Sequence, residues 1–443
     1  MVLMRPKAYQ NFIERNPLIP LSKLETSPFK PDGFVLAPLQ SQINSEGLSL
    51  DDFYFNPHDA ELPYCYYRGT VMLSFSDINH KTGEIKDLIN RVNRDINESV
   101  AKRDFDRFLS LVDSRLAPEL FMEVFNFIPD QDKYRLFERV WRFNENSPEF
   151  FTEEFIKKAV KYKGVTSAKP VADEAGYVQV YRSRKAKQES IEEASAWTTD
   201  VNLAILQALA CDPVSSVYRG RIHLDHIISY NNDKSKKELQ VKPHEVQQIE
   251  VMDLIDLREF DSELRAAGIV RQYNFYAQQI NNQWFHNPQG VHALGHTRRV
   301  LLLSSIISYL EKYGKEDSRI LGLASIYHDI GRINDGYDPD HGIASYDKLI
   351  QEHLLEMSDY QDQEILRFLV QNHAIPDQSA YKKLNRYDLP DVDRTLRLYD
   401  AFKDADGLDR VRIKDLNPEY LRTDAAHRLL LAAHQLYSRQ IVY

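Results

Sequence analysis

Six side chains in the last third of the chain have the types and order to do metal chemistry. They are His296 in GHTRRV, the pair His328 and Asp329 in YHDIGR, His341 in DPDHGIAS, His373 in VQNHAI, and Asp406 in KDADGLDR. Imidazole nitrogens and carboxylate oxygens are ligands for Mn²⁺, Fe²⁺, Mg²⁺, Co²⁺ or Ni²⁺. The groups lie 32, 12, 32 and 33 residues apart in turn, so each should come from a different helix or helix end, converging as ligands do inside helix bundles. Helical phase agrees with this. Ile365, Leu369 and His373 step by four, and a helix through 391–406 puts Val392, Leu396, Tyr399, Phe402 and Asp406 on one apolar stripe. An unpaired carboxylate facing a core costs several kcal/mol or loses its charge, and a divalent cation removes that cost. A lone core histidine is ordinarily structural, but an HD dipeptide with four further groups in this order points to a site.

Cationic side chains stand close by in sequence. Arg299, one turn after His296, and Arg332, just after the HD pair, are candidates to grip phosphate oxygens bidentately. Lys403 and Arg410 flank Asp406 and are candidates for the same role. His292 and His296 form HALGH, with the i, i+4 spacing of a zinc protease helix but without its glutamate, which argues against that activity. His292 is expected as a supporting or surface group, and His286, His353, His427 and His434 as structural.

The elements that must position these groups follow from the whole chain. Its 443 residues suffice for two or three domains without disulfide or metal staples. The net charge of −10 argues against general nucleic-acid coating. Only Cys65 and Cys211 occur, neither in a CxxC pair, so thiolate zinc clusters are unsupported and a reducing, cytoplasmic setting is the simplest expectation. The apolar run 300–310 is broken by Ser304, Ser305 and Ser308 and is shorter than the ~20 residues a membrane span needs, so no membrane insertion is expected. The opening MVLMRPKAYQNF has no conventional export signal, although an unconventional secretion route would leave no such mark.

The expected fold class is α+β and multidomain. Residues 1–165 should be mostly helical, as in Ile85–Val100 and Phe105–Phe127, with no assignable chemistry. Residues 166–255 change to short alternating runs, YVQVYR and VYRGRIHLDHIISY, expected as strands around one helix. Residues 256–443 should be nearly all helix.

The C-terminal residues resemble the HD-domain metal-dependent phosphohydrolases, in the branch with additional histidines between the HD pair and the last aspartate. The resemblance covers about 285–415 and rests on HTRRV, YHDIGR, HGIAS, a helix ending in His373, and DADGLD in that order. It implies an all-α bundle and one or two divalent ions. His296, His328, Asp329 and Asp406 would form the primary site, with Asp329 able to bridge two ions. His341 and His373 would complete a second metal site or contact phosphate. It further implies hydrolysis of a nucleotide or other small phosphorylated metabolite, with His328 and Asp329 catalytic.

The 166–255 segment has a weaker resemblance to the arginine-serine-glutamate class of toxin-like ADP-ribosyltransferases. In YVQVYR, alternation places Arg182 on the side of Val178 and Val180, and SAWTTD follows before a helix capped by Thr199 or Asp200. Glu238 lies on the later strand KKELQVKP, with Glu245 as the runner-up if KPHEV continues that strand, and Arg68 after Tyr67 is a rival to Arg182. The resemblance implies NAD as a substrate gripped by Arg182, a nicotinamide pocket supported by Ser195, Trp197 and Thr198, catalysis by Glu238, and a macromolecular ADP-ribose acceptor. Ala196 stands where members of that class carry serine directly before the tryptophan, a departure consistent with a binding-only domain. Two rivals follow: an ADP-ribosyltransferase regulated by the HD domain, and a nucleotide sensor without catalysis.

Overall fold

The computed structural model describes residues 18–143, 151–163, 169–184, 190–233 and 237–438. The export-signal expectation for residues 1–12 falls outside them. The chain divides into two compact units: residues 1–178, 192–197 and 222–246 form the first, and residues 179–191, 198–221 and 247–443 the second.

The first unit holds helices Thr82–Ala101, Phe105–Leu111, Ala117–Val124, Asp130–Phe143 and Glu153–Val160. The expected run Phe105–Phe127 is broken at Val112 and resumes at Ala117, with Pro118 in the first turn of the new helix, where its missing N–H costs nothing. The first unit also contains a four-stranded antiparallel sheet in the order β1 (Ile19–Pro20), β2 (Phe53–Phe55), β3 (Tyr64–Arg68) and β4 (Val71–Phe75). "Mostly helical" therefore understates this region: FYF, YCYYR and VMLSF are aromatic and β-branched runs that favour a pleated surface. Gly69, at a φ of +64°, serves the turn between β3 and β4. Arg68 ends β3 paired with Asp52 at 3.2 Å.

The 177–251 stretch forms a six-stranded sheet in the order β10-β7-β5-β6-β9-β8, whose strands are divided between the units. Here β5 is Tyr177–Ser183, β6 Ala196–Thr198, β7 Val217–His223, β8 Ile227–Asn231, β9 Glu238–Val241 and β10 Gln247–Val251. VYRGRIHLDHIISY is thus two strands, separated by a 3₁₀ turn at Leu224–His226. β9 stops at Val241, so Glu245 lies in the turn before β10, paired with His226. Asp200 caps the Val201–Leu209 helix by accepting from the Asn202 N–H at 3.0 Å. That helix belongs to the core of the second unit, where the Asn202 amide donates to the Leu416 carbonyl at 3.0 Å.

From residue 257 onward the described residues are helical, with 3₁₀ turns and loops between helices. The Leu294–Leu310 helix is buried on every side from Val300 to Ser308, where Val300, Leu301, Leu302, Leu303, Ile306 and Ile307 are essentially inaccessible, as a helix central to a bundle requires. Its serines are buried without being orphaned. Ser305 donates to the Leu301 carbonyl at 2.8 Å, and Ser308 and Ser304 pair with Ser318 and Ser325 at 2.7 and 2.9 Å. The remaining principal helices of this region are Lys315–Tyr327, His341–Gln351, Tyr360–Asn372, Val392–Leu408 and Leu430–Ser438. The protein is therefore a mixed helix-and-sheet chain with a helical C-terminal region. No helix among the described residues is long and apolar enough to cross a membrane.

Candidate metal centre

Five helices end, start or cross where the six expected residues meet, all within the second unit. His328 and His373 cap the C-termini of Lys315–Tyr327 and Tyr360–Asn372, His341 opens His341–Gln351, and His296 lies in the first turn of Leu294–Leu310. The four imidazoles and Asp329 are all at most 5 % exposed. Asp406 comes from Val392–Leu408. Its place differs from the expected stripe. Val392 is exposed, and the buried face runs instead through Thr395, Leu398, Tyr399, Phe402 and Ala405. Asp406 stands at the border of that face with its side chain 28 % accessible.

The distances define two histidine pairs about one acid. His296 Nε2 and His328 Nε2 are 3.0 Å apart, and His341 Nε2 and His373 Nε2 are 2.8 Å apart. Asp329 Oδ2 lies 3.5 and 3.6 Å from His296 and His328, while Asp329 Oδ1 lies 2.9 and 3.7 Å from His341 and His373. Asp406 Oδ1 joins the first pair, 3.3 Å from His296 Nε2.

Each imidazole is held at its far nitrogen. His328 Nδ1 meets the Ser325 carbonyl at 2.9 Å, His373 Nδ1 meets that of Val370 at 2.8 Å, and His341 Nδ1 meets that of Asp338. In all three the acceptor is three residues earlier: Ser325 and Val370 are in the last turns of their helices, where acceptors lack intrahelical partners, and Asp338 is in the loop just before the His341 helix. A carbonyl only accepts, so Nδ1 carries the proton and Nε2 presents a lone pair to the centre. His296 differs. It is inside a helix, and its Nδ1 meets the carboxylate of Asp409 at 2.7 Å. Asp409, 1 % exposed, also receives Nε and Nη2 of Arg299, and Arg412 Nη1 lies 3.4 Å from it.

Burial holds His328 down to a pKa of about 3, so it is neutral. Burial and Arg412 oppose charge on His296, but the carboxylates of Asp406 and Asp409 prevail and raise it above the ordinary value. Burial pushes Asp329 and Asp406 upward, yet the surrounding imidazoles hold both well below the usual carboxylate range.

The donor set fits a divalent cation. Two imidazole lone pairs facing each other at 2.8 Å repel unless a proton or a cation stands between them. Two donors ~2.1 Å from one ion at right angles are themselves roughly 3 Å apart, which matches both pairs. The buried Oδ2 of Asp329 accepts no hydrogen bond among the described residues, an orphan that a cation would satisfy. Three overlapping sets have ligand atoms close enough to share an ion: His292, His296 and Asp329; His296, His328 and Asp406; and His328, Asp329 and His373.

Two glycines permit the approach. A Cβ on Gly331 would stand 2.2 Å from the Ser345 backbone nitrogen, so only glycine lets the HD turn lie against the His341 helix. A Cβ on Gly342 would stand 2.4 Å from the Val370 carbonyl, the same oxygen that holds His373.

The four cationic candidates are placed differently. Arg332 Nε donates to Asp329 Oδ1 at 2.9 Å, at the centre itself. Arg299 is committed to Asp409, Lys403 to the Ile375 carbonyl at 2.7 Å and Asp377 at 3.1 Å, and Arg410 to Asp415. Of two further neighbours, His292 was expected as a supporting or surface group, and Asp409 was not singled out from sequence. His292, just before the helix, has Nδ1 3.3 Å from Asp329 Oδ2 and receives Arg412 Nη2 at 3.1 Å. Asp409 is three residues beyond Asp406 in DADGLD, a helical spacing that was available as a signal. Asp404, the first acid of the same motif, is wholly buried and instead accepts from Arg422 and Thr423 at 2.7–3.0 Å.

The residues expected to handle NAD have mainly internal partners. Arg182 is partly buried on β5, and Ser195 accepts through its carbonyl from Val241 N–H at 2.8 Å. Trp197 is buried and donates to the Ala194 carbonyl at 3.1 Å, and Thr198 Oγ1 accepts from Asp200 N–H at 3.1 Å. Glu238 accepts from Gln240 at 2.7 Å, whose own oxygen takes the indole N–H of Trp141 at 3.2 Å.

No curated protein and no solved structure matches the chain. A family match does exist, but it stops short of the 166–255 segment and lends nothing to the ADP-ribosyltransferase resemblance. It covers the helices that carry the two histidine pairs: residues 293–410 match the family model of the HD domain.

Proposed function

We propose that the second unit is a metal-dependent phosphohydrolase acting on a nucleotide or other small phosphorylated metabolite. HD domains are metal-dependent phosphohydrolases in general. The observation that carries the reading here is the pair of facing Nε2 atoms on either side of Asp329, each ring held at Nδ1. His296, His328, Asp406 and Asp329 Oδ2 would hold one divalent ion, and His341, His373 and Asp329 Oδ1 a second. Such ions lower the pKa of a coordinated water and neutralise charge on phosphate oxygens. The chain's own groups do the rest. The backbone carbonyls at Nδ1 keep three of the imidazoles aimed, and Asp329 ties the two halves together. Arg332, alone of the four cationic candidates in contact with that acid, would meet a phosphate oxygen.

Metal analysis of the purified protein, followed by turnover assays with Mn²⁺ or Fe²⁺ against nucleotides and phosphodiesters, tests the reading. Bound metal and product release are expected, and His328→Ala combined with Asp329→Ala should lower turnover on the order of 1,000-fold or more. A folded wild-type protein that retains no divalent metal and turns over none of these substrates would overturn it.

A further inference from the structure

Of the four imidazoles at the centre, three take their Nδ1 partner from a backbone carbonyl three residues earlier. His296 has no such carbonyl to use. The residue three before it is Ala293, whose oxygen is already taken by the Thr297 N–H at 2.9 Å as the helix begins. Without another acceptor, His296 would be free to carry its proton on Nε2, the tautomer an unconstrained histidine favours. That proton would then point at His328.

We infer that Asp409 is a positioning residue that substitutes for the missing carbonyl, fixing His296 with its proton on Nδ1 and its Nε2 lone pair at the centre. A carboxylate can only accept, and that of Asp409, at 2.7 Å from Nδ1, is closer than that of Asp406, at 3.3 Å from Nε2, so the Nδ1 contact sets the tautomer. The carboxylate is itself immobilised. Arg299 donates to both of its oxygens, and Arg412 donates to the Asp409 carbonyl at 3.2 Å, to the Val291 carbonyl at 2.8 Å and to His292 at 3.1 Å. Arg299 thus serves the site by holding Asp409 and not by gripping substrate. Partners of this kind orient ligating histidines and raise their basicity, and losing one typically weakens metal binding 10–100-fold.

The inference rests on the metal-centre reading, and two measurements keep their failures apart. The first needs no metal. In metal-free protein at pH 9, long-range ¹H–¹⁵N spectra of labelled histidines should show His296 as the Nδ1–H tautomer. Asp409→Asn, whose amide can donate to Nδ1, should move it toward Nε2–H while His341 and His373 keep their form. The second is calorimetric titration with Mn²⁺, in which Asp409→Asn should bind about 10–100-fold more weakly than wild type. If the isosteric variant does not fold, Arg299→Gln should give the same changes at several-fold smaller size. An unchanged tautomer, or unchanged Mn²⁺ affinity beside a wild type that binds, would overturn the role of Asp409. A wild type that binds no Mn²⁺ would overturn the metal reading and its consequence for affinity, while the tautomer spectra still judge how His296 is held.

Discussion

The two units bury different things. The core of the first is filled with rings: Phe121, Phe125, Phe137, Trp141, Phe151 and Phe155 form a chain of edge and stacked contacts with centroids 4.9–6.5 Å apart. Its buried cation, Lys133, is paired with Asp130 at 2.6 Å and lies over the Tyr162 ring, 4.4 Å from its centroid. The second unit buries His296, His328, Asp329, His341, His373, Asp404, Asp409 and His434 in a core of comparable closeness. Apolar burial needs no partner, whereas each of those eight groups needs one of specified chemistry at a specified atom. The first core constrains the shapes and volumes of rings, while the second also constrains where individual polar atoms stand.

The largest effect separates the two. Phe137 is fully buried and touches Phe121, Trp141, Phe151 and Phe155, so Phe137→Ala should cost about 3–5 kcal/mol of stability, read as a fall in the denaturant midpoint. Metal content of the protein that remains folded should match wild type. Loss of metal in step with stability would show that the cores are not independent in this sense.

A smaller effect sharpens the contrast by making one kind of substitution in both places. Gly342→Ala drives a methyl into the Val370 carbonyl and should cost about 1–3 kcal/mol, with weakened metal binding because His373 loses its anchor. Gly83→Ala, in the Thr82–Ala101 helix of the first unit, meets only the tip of Glu46 at 3.5 Å and should instead stabilise by about 0.4–1 kcal/mol. Thermal melts of the two variants check the opposite signs, and equal signs would refute the packing argument.

The same difference explains what the amino-acid order disclosed. The ligand-type residues of the second unit were legible because each sits in a short motif, and His373 in phase with Ile365 and Leu369 does face inward beside them. Asp409 was passed over despite its helical spacing from Asp406, and His292 was expected as a supporting or surface group without a named partner, because their contacts with His296 and Asp329 span 113 and 37 positions and no local pattern names such a partner. Three acids in DADGLD look alike in sequence. Only the packing makes Asp404 an acceptor for Arg422, turns Asp406 to His296 Nε2 and Asp409 to His296 Nδ1. The four-stranded sheet of the first unit was missed because its strands are only two to five residues long, too short for alternation to show against neighbouring helical runs. The strands near 177–241 were legible through their valine and isoleucine alternation, whereas a catalytic role for them depends on side-chain partners that alternation does not specify.

The smallest expected effect concerns pH. His434 is 7 % exposed in the Leu430–Ser438 helix, with Nε2 3.0 Å from the Asn202 amide oxygen. Burial, against a weak pull from Asp200, lowers its pKa from 6.5 to about 4. A histidine depressed in the folded state favours folding while it is neutral, so its contribution is complete above pH 6.5 and erodes as pH falls from 6.5 toward 4. At pH 5 the loss is about 1–2 kcal/mol. His434→Gln keeps a donor for Asn202 but cannot titrate, so its stability relative to wild type should improve by that amount between pH 8 and pH 5 in denaturant titrations of metal-free protein. A constant difference across that range would mean that His434 protonates as readily folded as unfolded.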